Sequence, residues 1–133
     1  TGLVKGSSIS VDAVAIIDTS SADSQTVANT ASHVAVAYAY GTYRTAKFVY
    51  QITDGTDFES GEILVNYKGA TAPSDSTDIY LTQYAVVSTK SGNASLVSWD
   101  AIKNRTNIEL NFTNARGGSV DYTYDIVNTL VIK

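Results

Sequence analysis

The sequence predicts an all-β fold, an antiparallel β-sandwich of jelly-roll or Ig-like type with about eight strands. Three features predict it. Apolar and polar residues alternate along most of the chain with the period of two that sends successive side chains to opposite faces of a strand. Turn signals such as Asp54-Gly55 and Arg116-Gly117-Gly118-Ser119 separate the alternating runs. The 44% apolar content is carried by Val, Ile, Ala, Leu and nine Tyr, types that fit a pleated, half-buried surface, and no stretch has the length and 3.6-residue period of a helix.

Each run can be justified in order. Residues 8–17 (SISVDAVAII) put Ile9, Val11, Ala13 and Ala15 on one face and shift phase at Ile16 and Ile17, which reads as one strand with a bulge. Residues 18–32 lack aromatics and hold few apolar side chains, so they read as a long loop or a strand at the sheet edge. In residues 33–40 (HVAVAYAY) Val34, Val36, Tyr38 and Tyr40 form a large-residue face against Ala35, Ala37 and Ala39. Over residues 43–53 Arg44, Ala46, Phe48, Tyr50 and Ile52 share the inward face. The Asp54-Gly55 turn leads to a strand over 62–68 with Ile63, Val65 and Tyr67 inward, completing a hairpin.

Residues 69–78 contain the single Pro and a run of small polar residues, a surface loop. Residues 79–88 alternate again. A short strand follows around 96–99, residues 100–104 can form a single turn, and 103–107 read as a polar turn. Residues 107–113 bury Ile108, Leu110 and Phe112 and expose Glu109 and Asn111, and a last strand over 120–133 runs through Tyr122, Tyr124, Ile126, Leu130 and Ile132. The domain organisation is an N-terminal lead over residues 1–7 and a single β-sandwich domain over 8–133.

Composition limits the chemistry. With no Cys and one His, the chain offers no disulfide, no thiolate nucleophile and no Cys- or His-rich metal site, so no metal or other cofactor is expected. Its formal charge is -4 and its nine basic residues are scattered, which argues against nucleic acid as a partner. A Lys/Arg-rich amphipathic stretch is missing, and no window approaches the roughly 18 consecutive apolar residues of a membrane helix, so no membrane partner is expected.

Candidate reactive groups have structural explanations. His33 lies where a polar loop meets a strand, without a Gly-x-Ser-x-Gly elbow anywhere to make it part of a serine triad. Asp54, Asp57, Glu59 and Glu62 put four carboxylates around one turn, but their spacing is not that of an EF-hand, turn geometry accounts for Asp54-Gly55, and Glu62 falls on the solvent face. Asn93-Ala94-Ser95, Asn104-Arg105-Thr106 and Asn111-Phe112-Thr113 match glycosylation sequons that matter only in a secretory pathway. Arg44, on the inward side, calls for a carboxylate partner, with Glu62 or Asp100 as candidates. No catalytic residue emerges, and the chain reads as a non-enzyme.

The run TYRTAKFVYQITDGTDFESGEILVNYKG (42–69) resembles a β-domain recurring in structural and tail-fibre proteins of tailed bacteriophages, particularly those of marine bacteria. In that family a Tyr-Arg-(Ser/Thr)-Ala-Lys strand precedes a Gln-(Ile/Val)-Thr-Asp-Gly turn and a strand with Glu-Ile-Leu. The segments DIYLTQYAVVST (78–89), SLVSWDA (95–101) and NIELNFTNA (107–115) resemble its later strands in the same order, with Gln83 where Glu is usual, Trp99 for Phe and Asn114 for Pro. The resemblance covers residues 34–133, and the first thirty residues match nothing in the family.

What it implies is a virion component, assembled in the host cytoplasm and carried in the extracellular particle. The leading reading is a head decoration or cement protein, since the chain reads as complete at one domain. The alternatives are a tail-fibre or receptor-binding module and a bacterial carbohydrate-binding or surface-filament domain. Expected partners are other copies of itself and other virion proteins, with a host-surface glycan as a further candidate. A homo-oligomer, a trimer or a lattice-associated assembly, is expected because a domain with nine Tyr and long apolar edge strands must cover those edges. Its contacts are expected at the termini, at Thr1, Gly2 and Leu3 and at Leu130, Val131 and Ile132, where a neighbouring subunit could extend the last strand or where that strand completes the domain's own sheet.

Overall fold

The computed structural model describes residues 8–11, 15–19 and 23–133, with side chains from residue 26 onward. It is an antiparallel β-sandwich. Ten strands occur among the described residues: β1 (Ser8–Val11), β2 (Ala15–Thr19), β3 (Asp23–Val27), β4 (Ser32–Ala39), β5 (Tyr43–Thr53), β6 (Phe58–Tyr67), β7 (Ile79–Ser88), β8 (Val97–Asn104), β9 (Asn107–Asn114) and β10 (Val120–Ile132). The larger sheet has the order β1-β2-β10-β5-β6-β7, with β3 beside β2 along the same flank of β10, and the smaller sheet is β4-β9-β8.

The core lies between the sheets. From the larger sheet Ala46, Phe48, Tyr50, Ile52, Ile63, Val65, Tyr122, Tyr124 and Ile126 point inward, and from the smaller one Tyr38, Trp99, Ile108, Leu110 and Phe112 meet them. Aromatic rings bridge the layers, Phe112 lying 5.5 Å from Tyr122 and 5.4 Å from Tyr124, and Tyr50 lying 4.7 Å from Trp99. The inward faces read from strict alternation in β5, β6 and β10 are the buried ones.

Several expectations are corrected. Residues 8–17 form parts of two antiparallel strands, β1 and β2, because alternation alone does not separate one bulged strand from two short paired ones of like composition. Of the two readings of 18–32, the edge strand is present as β3, registered on β10. In β4 a register shift between Val34 and Val36 reverses the parity, so that His33 lies inward before it and Tyr38 after it, while Val34 is 43% exposed. β6 begins at Phe58, earlier than expected. Residues 100–104 are strand, paired with β9 through Ala101↔Leu110 and Ile102↔Glu109. Asn111 is buried on the smaller sheet's outer side, between Val34 and Asp100.

A polar connection crosses the core. Glu59, 1% exposed on β6, accepts a hydrogen bond from the Tyr50 hydroxyl at 2.7 Å and another from the Leu96 backbone N–H at 2.6 Å. Gln83 in turn donates to the Tyr50 oxygen at 2.6 Å, so β7, β5 and β6 are tied to the entry of β8. Gly61 sits opposite Tyr50 and leaves room for its ring, since a Cβ there would stand 2.9 Å from the Tyr50 oxygen.

Candidate binding surface

The outer face of the larger sheet collects the side chains that alternation sends away from the core. Its rows run across β10, β5, β6 and β7: Val127, Val49, Glu62 and Tyr84 in one, Thr129, Lys47, Leu64 and Thr82 in the next. Beyond these, Val131 faces Thr45, Asn66 faces Tyr80, Val87 faces Ser60, and Phe58 faces Thr53. Eight of the nine exposed large hydrophobic residues among the described ones lie here: Val49, Phe58, Leu64, Tyr80, Tyr84, Val87, Val127 and Val131. The ninth, Val34, belongs to the smaller sheet. Eight exposed large hydrophobic residues, interleaved with polar ones on a single face, make it the candidate interaction surface among the described residues.

At its centre Lys47 pairs with Glu62 at 3.0 Å and lies 6.0 Å from the centre of the Tyr84 ring. The Lys47 ammonium is held above its ordinary pKa, first by its hydrogen bond to Glu62 and then by that carboxylate's charge. The Glu62 carboxyl is held below its ordinary value by the hydrogen bond from Lys47 and next by the Tyr84 hydroxyl. Both groups are solvated, so the pair fixes charge pattern more than stability.

The four turn carboxylates do not form a site. Asp54 and Asp57 both pair with Arg116, Asp54 also accepts from the backbone N–H groups of Thr56 and Asp57, Glu59 is buried in the core, and Glu62 is on the outer face. Among the described residues no group of three or more His, Cys, Asp or Glu could hold a metal.

Arg44 has neither expected partner. It donates to the carbonyls of Tyr67 at 3.1 Å and Ala70 at 2.9 Å and stacks 4.4 Å over the Tyr67 ring. Glu62 is taken by Lys47, and Asp100 accepts from the Ala101 N–H. Lys133 and Lys103 complete this arrangement: Lys133 bonds the Tyr67 hydroxyl and the Thr71 carbonyl, Lys103 the carbonyls of Pro73 and Ser74, so three cations hold the loop over residues 69–78. Parity placed Arg44 correctly; the acceptors are backbone carbonyls, which no sequence pattern announces.

His33 packs against Phe112 and Tyr124 and shares a 3.1 Å hydrogen bond with the Tyr124 hydroxyl. The sequon residues have local duties: Asn93 accepts from the Ser88 N–H, and Asn104 donates to Glu109.

Thr1, Gly2 and Leu3 lie outside the described residues. At the other end β10 is central, flanked by β5 on one side and by β2 on the other. The main chain at Leu130 and Val131 is thus paired on both sides, so β10 completes the domain's own sheet instead of offering an edge. Leu130 is buried, Ile132 half-buried, and Val131 opens onto the outer face at 40% exposure.

The outer face escaped sequence reading, although its signal was present: Val49, Leu64, Val127 and Val131 are apolar residues at positions that alternation sends outward.

No protein-family model matches the chain, and no curated protein matches it. Among solved structures it is similar to the tailspike protein of Acinetobacter baumannii phage AM24, with 10% identity over 88% of this chain and a TM-score of 0.45. It is also similar to the tailspike protein of Acinetobacter phage vB_ApiP_P1, with 16% identity over 100% of this chain and a TM-score of 0.45. The chain spans 26% and 24% of those two proteins.

Proposed function

We propose that this chain is a non-enzymatic module of a phage tail protein, a fibre or receptor-binding component, that works through the outer face of its larger sheet. The observation that carries the reading is that face, on which eight exposed large hydrophobic residues, two of them Tyr and one Phe, gather on one side of a two-sheet sandwich. The resemblance of residues 34–133 to phage β-domains supplies the virion context. The fate of the acidic cluster supports a binding role: Asp54, Asp57, Glu59 and Glu62 all have structural partners, leaving no free carboxylate pair there for acid–base work.

The test is imaging of the particle that carries this chain, with an antibody or gold label against it. Label confined to the tail is the expected result. Label distributed over the capsid lattice would overturn the tail reading in favour of head decoration, and the absence of label from purified particles would overturn the virion reading altogether.

A further inference from the structure

We infer that the outer face of the larger sheet is the contact between two copies of this chain, packed face to face about a two-fold axis near Lys47 and Glu62. The inference rests on the reading of that face as the working surface and names what covers it.

Size is the first argument. Four strands spaced ~4.8 Å apart make a face about 19 Å wide, and β10 from Thr123 to Val131 rises about 27 Å, together on the order of 500 Å² of flat sheet. Side-chain relief adds to this. The smallest specific interfaces bury roughly 600 Å² per partner, so the face together with its side-chain relief lies at the lower end of what a modest dimer needs. Two twisted sheets packing face to face about 10 Å apart is also the geometry already used inside the domain.

Charge is the second argument. A chain of net charge -4 repels its own copy except through a surface that is neutral or self-complementary. On this face the central charges are Lys47 and Glu62, adjacent and of opposite sign. Asp125 shares the face beside Gln51, one row from Val127 and Val49, and Asp121 lies beyond it towards the start of β10. In an isologous contact each patch meets itself, so a two-fold axis by the pair sets Lys47 of one copy against Glu62 of the other and extends one ion pair into a ring of four charges. The outer side of the smaller sheet does not offer this. Asp100 and Glu109 stand there, and self-contact would oppose like charges.

Composition agrees. Val, Thr and Tyr dominate the face, whose charges are the Lys47–Glu62 pair and Asp125, in keeping with interface cores, which are poor in charge and rich in aromatics.

The experiment is sedimentation velocity on the full chain from micromolar to near-millimolar concentration, with charge-swap variants. Wild type should show a concentration-dependent dimer. Lys47→Glu and Glu62→Lys should each raise the dissociation constant about tenfold or more, because each makes the centre of the face singly signed, and mixing the two variants should restore association as a heterodimer. Val49→Asp should also weaken it, whereas Val34→Asp on the smaller sheet should leave it unchanged. Circular dichroism and urea midpoints check that the variants are folded. A chain that stays monomeric throughout, a mixture that fails to re-associate, or a loss caused by Val34→Asp would each overturn the inference. A monomer whose label still localises to the tail would sink this inference alone, and a dimer whose label covers the capsid would sink the tail reading alone.

Discussion

Glu59 is expected to be the most sensitive polar position in the fold. Its two carboxylate oxygens receive the Tyr50 hydroxyl and the Leu96 N–H, both buried. Glu59→Ala would leave both donors without an acceptor, at about 1–3 kcal/mol each, and would remove the packing of the side chain, for a total near 3–5 kcal/mol. Glu59→Gln keeps one carbonyl oxygen for one donor but turns an NH2 toward the other, at a cost of about 1–2 kcal/mol. For a domain of this length a kilocalorie corresponds to roughly 3–5 °C in Tm, so the expected losses are about 9–25 °C for Ala and about 3–10 °C for Gln. Urea unfolding followed by tryptophan fluorescence measures both, since Trp99 packs on Tyr50. A cost below about 1 kcal/mol for Ala, or equal costs for Ala and Gln, would refute the view that Glu59 binds the sheets together through its two acceptors.

Three further outcomes are expected. The hydroxyls of Tyr38, Tyr50 and Tyr122 are held above the ordinary tyrosine value of 10.0, burial being the first cause in each. The unfolded chain therefore loses these protons near pH 10 while the native state keeps them, so stability is unaffected by them at lower pH and falls above it by up to about 1.4 kcal/mol per pH unit per tyrosine; urea midpoints that stay level between pH 9 and 11 would contradict this. Tyr38→Phe should be neutral or stabilising by up to ~1 kcal/mol, since the buried Tyr38 hydroxyl has no hydrogen-bond partner among the described residues, and a clear loss in calorimetric Tm would mean that it has one. Gly61→Ala should cost roughly 1–3 kcal/mol by driving a methyl group into the Tyr50 ring, and combining it with Glu59→Ala should cost less than the sum, because both act on Tyr50.

The alternation of side chains determined most of this architecture without help. Phe48, Tyr50 and Ile52, or Ile108, Leu110 and Phe112, can bury one face only by lying in strands, and a one-residue slip would expose all of them, so the inward set is readable from spacing. The same regularity located Arg44 and Tyr122 and, had its outward half been weighed, would have located the face of Val49, Leu64 and Val127. Tertiary structure decided what depends on the neighbouring strand. The shift at Val34 and Val36 is a mismatch between β4 and β9, and neither strand's own sequence encodes it. The place of β10 in the middle of its sheet follows from β2 and β3 adding to its far flank, although its apolar end read equally well as an open edge. Glu59 has the parity of a core residue and the chemistry of a surface one; only the arrival of Tyr50 from β5 and Leu96 from the opposite layer makes its burial tolerable, because a carboxylate enters a core where donors from other segments converge on it.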